Sequence, residues 1–324
     1  MSQLVQLTGI ARLAAEGESL AEKSRVEYRT LPTRKWLNRC HSANVPFDWT
    51  INPYRGCEFG CKYCYARYTH EFMERREPAD FETEIYAKDW DTAGFRRELQ
   101  SVKSAQTIAI GTATDPYQPA ERRFERTRRV LETMSGIRGI SIFVTTKSDL
   151  VGRDASLFAA LSKENDLRIT VTVTTLDREL ARLTEPMAPR PDLRLKAVSK
   201  LAAAGVTVGV IASPVLPMIT DSRENLEKVA KAAKAAGASY FCAGILFLQP
   251  SAQRVFFPFL AEKFPEHLAR YKKNYQAGAY LKGAYSERIR EMIHEIREQA
   301  GIPPREFFRP FVAPPSDPQL LLFA

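Results

Sequence analysis

The sequence predicts an α/β fold: an open, partial (β/α)6 barrel of parallel strands with an N-terminal extension and C-terminal helices. Three observations predict it. Short apolar strands in the later chain recur about every 28 to 38 residues, the period of a βα unit. Gly205 and Gly237 stand where helix C-caps belong. Polar residues follow several of the strands, at the edge where such sheets bind ligands.

In chain order, residues 1–45 form a basic extension in which Lys23, Arg25, Arg29, Arg34, Lys35 and Arg39 are interspersed with Tyr28 and Trp36. Such a segment either tracks a phosphate backbone while stacking on bases or wraps the protein surface. Residues 46–250 carry the barrel. A first strand ends at Asn52, and a helix over 91–102 leads to a strand over 107–111. A helix over 119–135 then alternates with a strand over 140–145, a helix over 154–162 and a strand over 168–174. The pattern closes with a helix over 193–204, a strand over 206–212, a helix over 223–236 and a strand over 240–247. Residues 251–300 read as a helical segment, and residues 301–324 as a Pro-rich flexible tail.

The strand ends run into Gly111-Thr112-Ala113-Thr114-Asp115, Thr145-Thr146-Lys147-Ser148, Thr174-Thr175-Leu176-Asp177 and Ala212-Ser213-Pro214. Each alone is compatible with ordinary helix capping and turns. Their shared edge points to a ligand.

The first strand leads directly into Asn52-Pro53-Tyr54-Arg55-Gly56-Cys57-Glu58-Phe59-Gly60-Cys61-Lys62-Tyr63-Cys64, which holds three of the five cysteines. Clustered thiolates select zinc, copper(I) or an iron-sulfur cluster. Structural zinc wants four protein ligands, and only His70 lies near enough to be a fourth. A four-iron cluster held by three cysteines keeps one iron open for a ligand. An electron carrier would need a fourth cysteine, and only Cys40 and Cys242 remain; Cys242 lies in an apolar run and reads as core.

The Cys-x3-Cys-x-Tyr-Cys spacing resembles the signature of the radical S-adenosylmethionine (SAM) superfamily. Asn-Pro-Tyr-x-Gly-Cys, the Thr-Asp-Pro at 114–116, Thr-Lys-Ser at 146–148, Glu185-Pro186 and Ala-Ser-Pro at 212–214 resemble its spore photoproduct lyase branch over residues 48–249. The resemblance implies a TIM-like partial barrel and a 4Fe-4S cluster on Cys57, Cys61 and Cys64. It also implies SAM cleavage to a 5′-deoxyadenosyl radical, with an electron donor such as flavodoxin or ferredoxin. Tyr63 would lie against the adenine, Thr112 and Thr114 beside the methionine moiety, Lys147 on its carboxylate, Thr174 at the ribose, and Ala212 and Ser213 flanking the adenine. One position departs from that branch: its hydrogen-donor cysteine has no counterpart in Gly111–Asp115. Tyr117 or a thiol from elsewhere in the chain is left as the candidate donor.

A net charge of +9 favours an anionic partner such as nucleic acid, and the resemblance implies DNA. Arginines over 122–129 and the basic, tyrosine-rich stretch over 267–280 are candidate contact surfaces. RNA or a peptide is the alternative substrate, and a non-catalytic iron-sulfur DNA- or clamp-binding protein the alternative class. The tail ends in Gln319-Leu320-Leu321-Leu322-Phe323-Ala324, which resembles the peptide that docks repair proteins on the sliding clamp through residues such as Gln319, Leu320, Leu322 and Phe323. No signal peptide or run of about twenty apolar residues is evident, and the odd cysteine count argues against a disulfide framework, so a cytoplasmic protein is expected.

Overall fold

The computed structural model describes residues 7–17, 19–23, 26–41 and 45–304. The docking peptide with Gln319, Leu320, Leu322 and Phe323 lies outside the described residues, as does Arg25. The strands are β1 (Ser19–Lys23), β2 (Val26–Leu31), β3 (Asn38–Arg39), β4 (Trp49–Ile51), β5 (Tyr54–Arg55), β6 (Glu84–Lys88), β7 (Thr107–Ile110), β8 (Ser141–Thr146), β9 (Asp166–Thr172), β10 (Thr207–Val215) and β11 (Tyr240–Ile245).

The main sheet has the order β11-β10-β9-β8-β7-β4-β3. Six of these strands are parallel neighbours, and β3 pairs antiparallel with β4 at one edge. The expected open arrangement of six parallel strands is therefore present, and β11 and β3 do not pair with each other among the described residues. Alternation along the strands divides the two faces. Ile108, Ile110, Ile142, Val144, Ile169, Val171, Val208 and Val210 are buried in the main core. Helices Arg126–Met134, Ala155–Leu161, Pro191–Ala203 and Arg223–Ala235 contribute Val130, Phe158, Val198 and Val229 to that same core. Gly205 and Gly237 both have positive φ at the ends of their helices, as their positions in the sequence suggest.

A second sheet, ordered β1-β2-β6-β5, was not legible in the sequence. It joins the N-terminal extension to the segment after the cysteine loop, with β2 parallel to β6 and β5 antiparallel to it. This pairing overturns the picture of Tyr28 and Trp36 as solvent-facing stacking residues. Both are buried, Tyr28 on the Glu58 carboxylate and Trp36 edge-on against Trp90 with a centroid separation of 4.8 Å.

The expected helix over 119–135 is two helices, Glu121–Phe124 and Arg126–Met134, separated by Glu125 at φ 52°. The break lets the buried Glu121 carboxylate accept from Tyr54 Oη at 2.6 Å and from the amides of Thr127 and Arg128. Helices Pro250–Lys263 and Pro265–Asn274 pack Phe256, Leu260, Tyr271 and Tyr275 into an apolar cluster that also contains Cys57, Phe59, Cys61 and Tyr63. Tyr271 and Tyr275 are thus core residues, with hydroxyls on the carbonyls of Pro217 and Leu246. No helix among the described residues is long and apolar enough to cross a membrane.

Phe158 is fully buried and its ring lies edge-on 6.4 Å from that of Tyr117. Phe158→Ala is expected to cost about 3–5 kcal/mol of stability, read as a lower urea midpoint at an unchanged denaturant slope.

Candidate functional site

The loop after β4 turns back on itself at Gly56 (φ 79°) and Gly60 (φ 61°). At Gly56 a Cβ would stand 2.7 Å from the Glu84 carbonyl oxygen, so a side chain is excluded there. Backbone bonds hold the loop at three places: Cys57 N to Phe81 O, Lys62 N to Thr184 O, and Met187 N to Phe59 O. Side chains complete the attachment. Gln118 accepts from Glu58 N through Oε1 and donates through Nε2 to Gly56 O and to Thr114 Oγ1. The Glu58 carboxylate in turn accepts from Tyr28 Oη at 2.8 Å and from Ala120 N at 2.7 Å.

Cys57, Cys61 and Cys64 line a cavity of about 290 Å³ together with Thr112, Ala113, Thr114 and Lys147. Ser213, Thr145, Thr146, Thr172 and Asp115 complete the polar part of its wall. Three of the four strand ends that the sequence placed on one edge, those at 111–115, 145–147 and Ser213, meet at this cavity, and the 174–177 end does not. Gly111 (φ 88°) begins the turn after β7, where a Cβ would clash with the Pro116 ring at 2.6 Å and the Thr145 carbonyl at 2.8 Å. Asp115 fixes the neighbouring turn, accepting from Thr146 Oγ1 at 2.6 Å and Lys147 N at 2.7 Å. At Asp177 the plain reading holds: its carboxylate caps helix Arg178–Thr184.

Tyr63, Thr174 and Ala212 are not on the cavity wall. Ala212 is packed between strands, paired with Ala243 of β11. Tyr63 and Thr174 instead donate hydroxyl protons to Glu185, Thr174 at 3.2 Å. Glu185 is ion-paired with Arg194 at 2.5 Å, both fully buried, and Arg194 also donates to the carbonyls of Thr172 and Pro189. The Lys147 ammonium lies 5.7 Å above the Tyr63 ring.

These charges set one another. Burial alone would raise Glu185, but the Arg194 and Lys147 cations hold its carboxyl below the usual range. Burial likewise works against the Lys147 ammonium, yet Cys61 and Glu185 keep it above its ordinary value. Burial pushes the cysteine thiols up, Cys61 to about 12, and Cys57 well above its ordinary value with the help of Asp115.

Among the described residues, no three His, Cys, Asp or Glu side chains gather as ligands of a single metal ion would. The donor set, three thiols on one loop facing a shared cavity, fits a polynuclear group in which each thiolate takes a separate iron. His70, the one candidate for a fourth zinc ligand, turns away from the cavity: Nε2 sits 3.1 Å from the Glu84 carbonyl oxygen, with Phe81 and Tyr86 edge-on to the ring. Tyr117 is buried with its hydroxyl on Asp154, away from the wall.

Tyr65 was missed in the sequence, although it directly follows the last cysteine of the loop. It is 39% exposed, lines the cavity and donates its hydroxyl to the Thr112 carbonyl, next to Ala113. Outward from it, its ring lies 5.8 Å from that of Phe247, which stacks on Tyr280 at 4.3 Å. Of the arginines over 122–129, Arg126 is spent on the Lys88 carbonyl and Arg128 on Asp154.

A family model, the radical SAM superfamily, matches residues 51–235. An uncharacterized protein of Mycobacterium tuberculosis is 35% identical over 254 residues, which cover 78% of this chain and 74% of the relative. An uncharacterized protein of Methanocaldococcus jannaschii is 26% identical over 282 residues, 85% of this chain and 95% of the relative. Among solved structures, a spore photoproduct lyase variant with bound AdoMet and dinucleoside spore photoproduct aligns with a TM-score of 0.65 at 15% identity, over 94% of this chain and 88% of that one. SuiB of Streptococcus suis bound to S-adenosylmethionine aligns with a TM-score of 0.54 at 15% identity, over 82% of this chain and 52% of that one.

Burial holds the His70 imidazole down near 4, below its ordinary value of 6.5. The unfolded chain takes up this proton first as pH falls, so His70 is expected to withdraw about 3 kcal/mol of stability between pH 6.5 and 4. Denaturation series across that interval should give a shallower decline for His70→Phe than for the wild type.

Proposed function

The chain belongs to the radical SAM superfamily, whose members are enzymes that use a 4Fe-4S cluster and SAM, and from that premise we propose that this enzyme acts on nucleic acid, DNA foremost. Cys57, Cys61 and Cys64 would hold the cluster, and SAM would occupy the cavity they share with Thr112, Thr114, Lys147 and Ser213. When bound, the reduced cluster supplies the electron that cleaves SAM to methionine and a 5′-deoxyadenosyl radical.

The chain's own residues prepare the site for that chemistry. Ligation requires each thiol to surrender its proton, and the Lys147 ammonium offsets the charge that results. The same ammonium is the cation on the wall able to meet the carboxylate of the methionine moiety. Thr114 serves as a tie, since its hydroxyl donates to Gly56 O at 2.5 Å. Tyr63 and Thr174, implied by the resemblance to touch adenine and ribose, take a positioning role through Glu185. Ala212, implied to flank the adenine, packs behind Ser213 on the same strand.

The observation that carries the substrate class is the run of aromatic rings beside the cavity, from Tyr65 through Phe247 to Tyr280, the last 62% exposed. A stacked pair whose outer ring is exposed beside a polar cavity is suited to a nucleobase, which presents a π-face whatever its identity. The net charge of +9 favours the polyanion that carries such bases. The dinucleoside in the similarly folded lyase agrees with this class of substrate. Where that branch has its donor cysteine, this chain has Gly111–Asp115 with no thiol, and a phenolic O–H on the Thr112 carbonyl of that segment is that of Tyr65.

Anaerobic reconstitution tests the chemistry. Cys57→Ala, Cys61→Ala and Cys64→Ala are each expected to lose cluster absorbance and reduce 5′-deoxyadenosine formation to background; retention of both in any one of them would overturn the ligand assignment. Lys147→Ala is expected to weaken SAM binding about 10- to 100-fold, the loss of one charge-assisted hydrogen bond. Damaged duplex DNA, tRNA and a peptide, compared by product mass, decide the substrate: product from the peptide alone would discard the nucleic-acid reading.

A further inference from the structure

A second cleft, of about 190 Å³, lies on the other side of Ala113, which forms part of both walls. Asn52 stands at the partition. Its Nδ2 donates to Thr112 Oγ1 at 3.0 Å and its Oδ1 accepts from Ala113 N at 2.8 Å. The cleft is lined by two cations, Arg55 and Lys88, and by the hydrogen-bonding side chains of Asn38, Thr50, Tyr68 and Thr69.

Among the described residues, neither cation has an anionic partner of its own. Lys88 is 6% exposed, with its ammonium 5.4 Å over the Trp36 ring, and it makes no ion pair among the described residues. Among the described residues, Arg55 reaches the Thr69 carbonyl, at a long 3.5 Å, and its buried Nε has no hydrogen-bond partner. The carboxylate that Lys88 feels is Glu98, and both Glu98 oxygens already accept from the amides of Trp36 and Leu37. Burial, followed by repulsion from Arg55, pulls the Lys88 ammonium down to about 7. Two like charges facing one polar cleft without a counterion are costly, and an anion placed between them removes the cost.

We propose that the Arg55–Lys88 cleft is an oxyanion subsite for a phosphate ester of the substrate, whose reacting part extends past Ala113 into the cysteine-lined cavity. The planar guanidinium offers donors in a fixed fork and the ammonium offers a point charge, a combination matched to a phosphoryl group. Asn38 and Thr50 can bond the remaining oxygens. The inference deepens the nucleic-acid reading and rests on it only for what the phosphate belongs to.

The full-length protein is titrated by calorimetry with inorganic phosphate, dimethyl phosphate and a thymidine dinucleotide, in the wild type and in Lys88→Met and Arg55→Gln. The expected result is saturable phosphate binding by the wild type that weakens at least about 10-fold in each variant, as loss of one charged hydrogen bond predicts. Lys88→Met should melt no lower than the wild type, because it removes a buried cation, so its loss of binding is not a loss of fold. No saturable binding by the wild type, or equal affinity in wild type and both folded variants, overturns the subsite. Dimethyl phosphate and dinucleotide binding that falls in parallel assigns the subsite to a diester, and inorganic phosphate alone assigns it to a terminal monoester. If no nucleic acid is turned over while phosphate binding still depends on Arg55 and Lys88, the subsite stands and the nucleic-acid reading falls. Nucleic-acid turnover with an unchanged KM in both variants discards the subsite and leaves that reading in place.

Discussion

The buried ion pair between Glu185 and Arg194 is the constraint on which the site depends. Such a pair adds little net stability, since the cost of removing both charges from water offsets their attraction. Its effect here is positional. Glu185 receives the hydroxyls of Tyr63 and Thr174, and thereby connects the cysteine loop to the end of β9. Arg194, from a helix on the outside of the sheet, reaches the carbonyls of Thr172 and Pro189 and fixes the carboxylate from behind. The cysteine loop is thus referred to one point in the distant 172–194 stretch, and Lys147 lies above the Tyr63 ring held there.

The opposite side of the loop is held by neutral bonds and a second carboxylate. Gln118 and Thr114, both from the segment after β7, close on the Gly56 carbonyl, while Glu58 accepts from Tyr28 of β2. The small sheet therefore has a clear purpose in the architecture. It carries β5 and β6 against the N-terminal extension, and β6 supplies the Glu84 carbonyl that makes a side chain at Gly56 impossible. A loop held at so many points loses little freedom when a group binds to it, which is how preorganisation favours binding.

The main sheet and the cysteine loop were legible in the sequence because their signals are local. A βα period, a C-cap glycine or a triplet of cysteines can be read within a few residues. What escaped depends on partners far along the chain. The antiparallel and parallel pairings of β1, β2, β5 and β6 join residues up to about sixty positions apart, and no local period announces them. Tyr28, Trp36, Tyr271 and Tyr275 alternate with basic residues, and that composition is the same whether the rings face water or the core. Tyr63 shares its loop with the cavity-lining cysteines, yet a single turn of backbone separates lining the cavity from supporting it. The run over 119–135 has a continuous helical pattern, and only the demand of the buried Glu121 for two backbone amides explains its interruption at Glu125.

Among the described residues, the outer strands of the main sheet, β3 and β11, do not pair with each other, and this has a topological consequence. A site encircled by strands would receive a long polymer only by threading from one end. With no such ring, an internal residue of a chain can be presented from the side and released again without passing an end through the protein. The architecture thus suits work in the middle of a continuous strand as well as at its terminus.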